Sequence, residues 1–465
     1  MIPVPHTAGK TYLVLGLGKS GNATALSLIA GGAQVSAWDD SEAARQNTAQ
    51  QNIPLADPAT IDWRKIAALV MSPGIPHTYP APHPVAAAAK EAGVPLTGDI
   101  ELLFQAQPEA KHIGVTGANG KSTTTALIGY ILHQAGRRAE TGGNLGTPAL
   151  ALAPLDKDGI YVLELSSYQL ELIAHNRLDI AVLLNISPDH LERHGGMTGY
   201  IAAKTRIIRQ DAPQIFICGI DDKPSRAVAA QAAAMPHIQL RTISQNAQPD
   251  CAVYADNGHL IDNLAGKAEK ILDLRALPHL PGKHNWQNIA AAYAACHALG
   301  LPRTSILAGI KSFPALDHRQ QLVAVRGGVR YINDSKATNA EAAGKALACY
   351  DNIYWILGGL PKAGGLQGLE EFTPRIRRAF LIGKAAGAFA SWLEGKTPYT
   401  NCGTLDVAVG AAAALAEQER LPDATVLLSP ACASWDQFKS FEHRGQVFAE
   451  LVRALPESQT AKRTA

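Results

Sequence analysis

The chain has 465 residues, of which 47% are hydrophobic and 18% are charged, and its formal net charge is +2. This length exceeds one ordinary hydrophobic core and predicts three domains at roughly 150 residues each. The near-zero net charge excludes the strong basic field of a typical nucleic-acid-binding protein. No apolar run approaches the ~18 residues that a membrane-spanning helix needs, and the first ten residues lack a signal-peptide core. We therefore expect a cytoplasmic protein that neither binds nucleic acid nor inserts into a membrane.

The N-terminal region, residues 1–98, alternates short apolar runs with Ala-rich segments. Strands are predicted at residues 12–15, 34–38 and 68–71, each followed by turn residues. This alternation is typical of a parallel α/β sheet and predicts a Rossmann-like first domain.

The remaining sequence predicts two further α/β domains, at residues 99–315 and 316–465. Buried strands of the central domain are predicted at residues 112–115, 160–163 and 180–186. Short strand-like runs between residues 211 and 280 suggest a small extra sheet. The alternation resumes in a Rossmann-like third domain, with strands predicted at 330–332, 353–357, 379–382 and 425–428.

The strongest local motif is GVTGANGKST, residues 114–123, between a predicted strand and a predicted helix. Glycines let the backbone wrap a phosphate chain, and the free N–H groups of a helix N-terminus bind anions. One helix terminus stabilises a charge by only about 0.3–1 kcal/mol, so Lys121 and a metal ion must share a triphosphate. Val115 stands where the strict phosphate-loop pattern has glycine, so this loop is a variant.

Two other predicted strands of the central domain end in polar side chains. Glu164 and Ser166 follow one strand, and His190 follows the next. Because ligands bind beyond the carboxyl ends of parallel strands, these residues should face the phosphate loop and suggest a Mg²⁺ site. Lys204 lies in a predicted helix, and its spacing alone gives no reason to prefer a functional role over a solvated lysine.

The first predicted strand is followed by Gly16-Leu-Gly-Lys-Ser-Gly21, and Asp39 ends the next strand. This spacing matches a dinucleotide-binding turn with an acid near a ribose, although a purely structural turn remains possible on the spacing alone. In the last domain, polar clusters follow the predicted strands at 330–332 and 425–428. We expect these clusters to form a wall that binds carboxylates, with Ser434 capping a following helix.

Seven motifs carry a family resemblance: TGANGKST, LELSSYQLE, NISPDHLERH, GKHNWQN, HRQQ, NDSKATN and SPACASWDQF. In this order they resemble the Mur ligases, which build the peptidoglycan stem peptide, and the resemblance extends from about residue 10 to residue 452. It implies three domains that bind a UDP-sugar, ATP and an amino acid in turn. It also implies that D-glutamate is added to UDP-N-acetylmuramoyl-L-alanine through an acyl phosphate, by a monomeric enzyme.

The resemblance also implies roles for individual residues. The implied ATP contacts are Gly117, Ala118, Asn119, Gly120, Lys121, Ser122, Thr123, Asn285, Asn288, Arg319 and Asp334. Contacts to the UDP-linked substrate are implied for Lys19, Ser20, Asp39, Gly74, Asn144 and Ser166. Those implied to frame D-glutamate are Lys336, Thr338, Lys362, Ser434 and Phe441. Two Mg²⁺ ions are implied, held by Ser122, Glu164, His190 and, if it is carbamylated, Lys204. Catalytic roles are implied for Lys121, His190, Lys204 and Lys336.

Three alternative functions remain open at this point. A nicotinamide-dependent oxidoreductase would use the N-terminal glycine turn but leaves the phosphate loop and the last domain unexplained. A nucleotide switch or motor ATPase would hydrolyse ATP without an amino acid. A related ligase would accept another amino acid, and only the resemblance of NDSKATN and SPACASWDQF argues against it.

Overall fold

The computed structural model describes residues 1–144, 146–314, 316–361 and 364–456. The chain forms two compact units. One contains residues 1–274 and 285–313, and the other contains residues 275–284 and the chain from 314 onward. The predicted boundaries at residues 98 and 315 remain predictions, but each predicted domain has one β-sheet of its own.

The first sheet is fully parallel, with the strand order β2-β1-β3-β4. Its strands are β1 (Thr11–Leu15), β2 (Gln34–Trp38), β3 (Ile66–Met71) and β4 (Leu96–Thr97). The helices are α1 (Lys19–Ala30), α2 (Glu42–Ala49) and α3 (Pro84–Glu91). Apolar side chains of β1 and β3 are buried against helices, as the alternating pattern predicts. The Rossmann-like architecture of this region is confirmed.

The second sheet has nine strands in the order β13-β12-β11-β10-β9-β8-β5-β7-β6. Its strands are β5 (Lys111–Thr116), β6 (Ala139–Gly143), β7 (Ile160–Glu164), β8 (Ile180–Leu183), β9 (Gln214–Gly219), β10 (Ile238–Ser244), β11 (Val253–Asp256), β12 (His259–Asp262) and β13 (Glu269–Asp273). The accompanying helices are α4 (Asp99–Ala106), α5 (Lys121–Gln134), α6 (Ser167–Glu171), α7 (Met197–Thr205), α8 (Lys223–Ala233), α9 (Lys283–Ala298) and α10 (Arg303–Ser312). Strands β5, β7 and β8 are adjacent and parallel, so their carboxyl ends lie at one edge.

The short strands between residues 211 and 280 do form, but they continue the central sheet instead of making a small extra one. Strand β10 pairs in parallel with β9 and β11, and β12 and β13 then add as antiparallel strands. An uncovered strand edge offers unpaired N–H and C=O groups, which explains why the new strands extend the existing sheet.

Strand β8 ends at Leu183, three residues before the predicted end. The side chain of Asn185 bonds the phosphate loop, and the amide of Ile186 donates to Asp222 Oδ2 (3.2 Å). The amide of Leu184 still donates to the Thr116 carbonyl (3.0 Å), so the apolar run extends past the strand into the segment that contacts the phosphate loop.

The third sheet has the order β14-β15-β19-β16-β17-β18 and is parallel except for β14. Its strands are β14 (Gln321–Arg326), β15 (Val329–Asn333), β16 (Ile353–Gly358), β17 (Ile376–Ile382), β18 (Tyr399–Gly403) and β19 (Thr425–Leu428). The helices are α11 (Ala340–Leu347), α12 (Ala386–Leu393), α13 (Leu405–Glu419) and α14 (Phe441–Ala454). Apolar clusters cover both faces, as a doubly wound sheet requires.

The predicted helix cap at Ser434 is wrong. Helix α14 begins seven residues later, and its N-cap is Ser440, whose side chain accepts a hydrogen bond from the His443 amide (3.2 Å). Ser434 instead lies in a turn, where its carbonyl oxygen accepts from the Phe438 amide (2.8 Å). Ser434 therefore belongs to the turn that precedes α14, and the helix starts after Ser440.

Among the described residues, no helix is both long enough and apolar enough to cross a membrane.

Substituting Leu163, which is fully buried in the middle of β7, tests the importance of the central sheet. We expect Leu163→Ala to lower the free energy of unfolding by about 2–5 kcal/mol, because the smaller side chain leaves a cavity. The control is Leu55→Ala, at a side chain that is 37% exposed, with an expected cost below about 1 kcal/mol. Urea titrations followed by circular dichroism measure both, and equal midpoints would contradict the prediction.

Candidate active site

The phosphate loop is held by Asn185, which lies in the segment after β8. The amide of Ala118 donates to the Asn185 carbonyl (2.9 Å), and the amide of Asn119 donates to the Asn185 side chain (2.8 Å). The side-chain nitrogen of Asn185 returns a bond to the Asn119 carbonyl (3.1 Å). Gly120 adopts φ +86°, a left-handed conformation that glycine enters without strain, and α5 begins at the next residue. The loop is therefore shaped for an anion at the helix N-terminus.

Helix α9 approaches the same loop with its amide side chains. Thr124 Oγ1 donates to Asn288 Oδ1 (3.3 Å), and Asn288 Nδ2 donates to Asn285 Oδ1 (3.0 Å). Asn185 Nδ2 donates to Gln287 Oε1 (3.1 Å). The structure thus brings the predicted ATP residues Asn285 and Asn288 to the loop, and it adds Gln287, which the sequence reasoning missed.

Two lysine side chains meet at the loop. Lys121 Nζ donates to the carbonyl oxygens of Gly117 and Ala118 (both 2.9 Å), and Lys204 Nζ donates to Gly117 O (2.8 Å). Lys204 is only 1% exposed, so the interpretation as a solvated lysine is wrong. Burial and the charge of Lys121 lower the pKa of Lys204 well below its ordinary value.

Glu164, at the end of β7, is also buried. Its Oε1 accepts a hydrogen bond from Asn144 Nδ2 (2.7 Å), so these two predicted site residues are in contact. Within the described ranges, Glu164 Oε2 is buried with no hydrogen-bond partner. A buried carboxylate oxygen without a partner is costly unless a ligand or metal ion satisfies it.

His190 lies on the loop after β8 and is half exposed. Its ring is 5.4 Å from that of Tyr168 on α6, which places it beside the helix that follows β7. Ser166 caps α6, with a side chain that accepts from the Gln169 amide (3.2 Å). The ends of β5, β7 and β8 therefore carry the predicted residues to one edge of the sheet.

A cleft of about 430 Å³ opens at the first glycine turn. Four of the predicted UDP-substrate residues line it: Lys19, Ser20, Asp39 and Gly74. Asp39 braces this turn, since its carboxylate accepts from the amides of Leu17 (2.7 Å) and Ser41 (2.8 Å).

The same cleft contains two residues that the sequence reasoning did not assign. Asp40 Oδ2 lies 2.9 Å from His83 Nε2, and this hydrogen bond lowers the pKa of Asp40. Because Asp40 and His83 are more than forty residues apart, no local pattern pairs them.

The second compact unit holds the remaining predicted residues. Lys336 Nζ lies 3.9 Å from the centre of the Phe441 ring, so two of the residues expected to frame D-glutamate are in contact. Ser434 is buried and Thr338 is half-buried. Lys362 lies outside the described residues.

Arg319 and Asp334, the other predicted ATP contacts, are neighbours in this second unit. Burial raises the pKa of Asp334 to about 7, while the Arg319 charge opposes that shift. Asp334 accepts hydrogen bonds from the amide of Gln320 (3.2 Å) and from Ser429 Oγ (2.8 Å).

Residues 115–296 match the family model described as the Mur ligase middle domain. The UDP-N-acetylmuramoylalanine–D-glutamate ligase of Paramagnetospirillum magneticum is 53% identical, over 99% of this chain and all of that protein. The chain belongs to the Mur ligase family. The Rhodospirillum rubrum protein of the same name is 52% identical, over 99% of this chain and 98% of that protein.

Solved Mur ligases share the fold. The UDP-N-acetylmuramate–alanine ligase of Thermotoga maritima superposes with a TM-score of 0.57 at 17% identity, covering 96% of this chain and 99% of that one. MurF from Acinetobacter baumannii gives a TM-score of 0.57 at 18% identity, covering 97% of this chain and 93% of that one. Members of the Mur ligase family are ATP-dependent, which agrees with the phosphate loop in this chain.

Gly120→Ala tests the loop. A Cβ at residue 120 would lie 2.2 Å from Asn288 Oδ1, so the Asn288 side chain must shift and lose its present hydrogen bonds, or the loop must move. We expect the ATP dissociation constant to rise at least about tenfold, a change of about 1.4 kcal/mol. Gly136→Ala is the matched control, since its φ is +70° but no atom lies within 4 Å of the added Cβ. Calorimetric ATP titrations that give one affinity for both variants would contradict this prediction.

Proposed function

We propose that this Mur ligase adds D-glutamate to UDP-N-acetylmuramoyl-L-alanine with the hydrolysis of ATP to ADP and phosphate, a step of peptidoglycan precursor synthesis. The observation that carries the proposal is the 53% identity, over essentially both full lengths, to a curated relative of that name. The convergence of the phosphate loop, Glu164 and Lys204 provides a suitable site for the chemistry.

The reaction proceeds in two transfers. The terminal carboxylate of the UDP-linked substrate attacks the γ-phosphorus of ATP, ADP leaves, and an acyl phosphate forms. The amine of D-glutamate then attacks the acyl carbon, phosphate leaves, and the nitrogen loses a proton. Such phosphoryl transfer relies mainly on positioning and on stabilising negative charge. Lys121 and the loop amides supply fixed positive charge and N–H donors where that negative charge develops.

We propose two Mg²⁺ sites beside the triphosphate, with Ser122 and Glu164 at one, and His190 with carbamylated Lys204 at the other. No cluster of three or more His, Cys, Asp or Glu side chains suited to a metal ion occurs among the described residues. Mg²⁺ is commonly held by one or two carboxylates together with water and phosphate oxygens, so a sparse protein ligand set fits. The unpartnered Glu164 Oε2 supports the first site. When bound, the metal ions neutralise phosphate charge.

Burial of Lys204 supports the carbamylation. A lowered pKa favours the neutral amine, whose lone pair attacks CO₂ to give a carbamate and release a proton. The carbamate adds two oxygen atoms to the side chain and replaces a buried positive charge with a negative one.

We propose for the other residues the binding roles that the family resemblance implies. The cleft beside Lys19 and Asp39 is proposed to bind the UDP group, and Asn144 and Ser166 to contact the muramoyl part. Lys336, Thr338, Ser434 and Phe441 are proposed to frame D-glutamate, and Lys336 to orient it. We further propose that the enzyme works as a monomer in the cytoplasm, where UDP-linked precursors and ATP are available.

An amino-acid panel tests the function. We expect phosphate release that requires UDP-N-acetylmuramoyl-L-alanine, ATP and D-glutamate together, and that L-glutamate, L-alanine and diamino acids do not replace D-glutamate. Product mass spectrometry should show one added glutamyl residue. ATP hydrolysis independent of any amino acid would instead favour a nucleotide switch, and turnover with a different amino acid would favour a ligase of another specificity.

Lys204→Ala tests the carbamate. We expect turnover to fall at least about a hundredfold, the scale seen when one stabilising group is removed. Short carboxylic acids such as formate should partly restore it, because they place carboxylate oxygens in the cavity that the side chain leaves. Lys157→Ala, at an exposed lysine, should keep wild-type activity and show no response to formate. Wild-type turnover by the Lys204 variant would remove this residue from the site.

A further inference from the structure

Arg444 is a fully buried arginine near the start of α14, with 0% of its surface exposed. Its Nε donates to Ser335 Oγ (2.9 Å), and its Nη2 donates to the carbonyl oxygens of Ser335 (2.8 Å) and Cys432 (3.2 Å). A single rigid guanidinium group therefore joins the segment after β15 to the segment after β19.

Those two segments carry residues of the proposed D-glutamate site. Ser335 directly precedes Lys336, and Cys432 lies two residues before Ser434. Ser335 Oγ also donates to the carbonyl oxygen of Phe441 (2.8 Å), which brings the first turn of α14 into the same network.

The close approach of Gly359 shows how tightly the guanidinium is enclosed. A Cβ at residue 359 would lie 3.2 Å from Arg444 Nη1 and 2.3 Å from the Ala433 carbonyl. The loop after β16 thus packs directly on the arginine, which glycine permits at its φ of +133°.

The hydrogen bonds from the Arg444 guanidinium to Ser335 and Cys432 go to uncharged oxygen atoms. Within the described ranges, its Nη1 is buried without a hydrogen-bond partner. Burial lowers the pKa of Arg444 to about 10, although the Asp436 carboxylate nearby opposes the shift. Burial of a charge costs free energy of folding, and hydrogen bonds to Ser335 and Cys432 offset part of that cost, which ties the guanidinium group to these two segments.

We propose that Arg444 is a positioning residue for the amino-acid substrate: its guanidinium fixes the Ser335–Lys336 and Cys432–Ser434 segments and Phe441 in one geometry. Arginine suits this role because its planar fork donates to several acceptors at fixed angles, which a lysine ammonium group does not reproduce. The inference rests on the proposed function, since it assigns these segments to D-glutamate.

The test compares Arg444→Lys with Arg326→Lys. Arg326 also donates to several backbone carbonyls, but at the far end of α14, including those of Val452 (3.0 Å) and Arg453 (3.1 Å). Loss of the fork in Arg444→Lys should raise the KM for D-glutamate about tenfold or more, as expected for lost hydrogen bonds to a charged group. The KM values for ATP and the UDP-linked substrate should change less than about twofold in both variants.

Hydrogen–deuterium exchange of the full-length variants provides a readout that needs no substrate. Amides of residues 335–338 and 432–441 should exchange faster in Arg444→Lys than in wild type, and at the wild-type rate in Arg326→Lys. Ser335→Ala, which removes one acceptor but no charge, should shift both measurements in the same direction by a smaller factor.

The KM and exchange measurements together test the positioning role of Arg444. Unchanged exchange or an unchanged KM for D-glutamate in Arg444→Lys would overturn it. A parallel change in all three KM values together with a large loss of melting temperature would also overturn it, because that pattern indicates a purely structural residue. If the wild-type enzyme does not use D-glutamate, the proposed function fails. Faster exchange in both segments of Arg444→Lys would then still support the link through Arg444, with another amino acid as the substrate.

Discussion

The carbonyl oxygen of Gly117 accepts hydrogen bonds from two lysine ammonium groups, and this contact is central to the nucleotide site. Lys121 and Lys204 repel each other, and Lys204 is removed from water as well. Two like charges in such a place are stable only with negative charge nearby or with one lysine neutral. A bound triphosphate would supply negative charge, and carbamylation would replace the positive charge of Lys204 with a negative one. Both parts of the proposed chemistry therefore reduce the repulsion between the two lysines.

Strand order brings further predicted residues to the same edge of the central sheet. Because β7 and β8 flank β5 in parallel, Glu164 and the loop bearing His190 emerge beside the phosphate loop. Asn185 then fixes that loop through both its backbone and its side chain. The third sheet repeats the principle, since the residues proposed to meet D-glutamate follow strands β15 and β19, which are adjacent and parallel. In both sheets the sites depend on side chains that follow the carboxyl ends of neighbouring strands.

Polar groups buried beneath the sites are not all satisfied by the chain itself. Glu164 Oε2, at the end of β7, and Arg444 Nη1, on α14, are buried without partners in the described part of the chain. Burying these atoms lowers the free energy of unfolding, and the apolar packing of the sheets, such as that of Leu163 in β7 and Trp355 in β16, offsets this loss.

The sequence alone determined the α/β class, most of the strand centres and the phosphate loop. Hydrophobic periodicity and glycine placement act over a few residues, and a single chain displays them directly. The resemblance to the family motifs also predicted most of the proposed site residues. Only the tertiary structure decided that Lys204 is buried, that Gln287 and His83 join the sites, that Ser440 caps α14, and that β11 to β13 extend the central sheet. These outcomes depend on contacts between residues far apart in the chain, and the free energy of such contacts leaves no local pattern in the sequence.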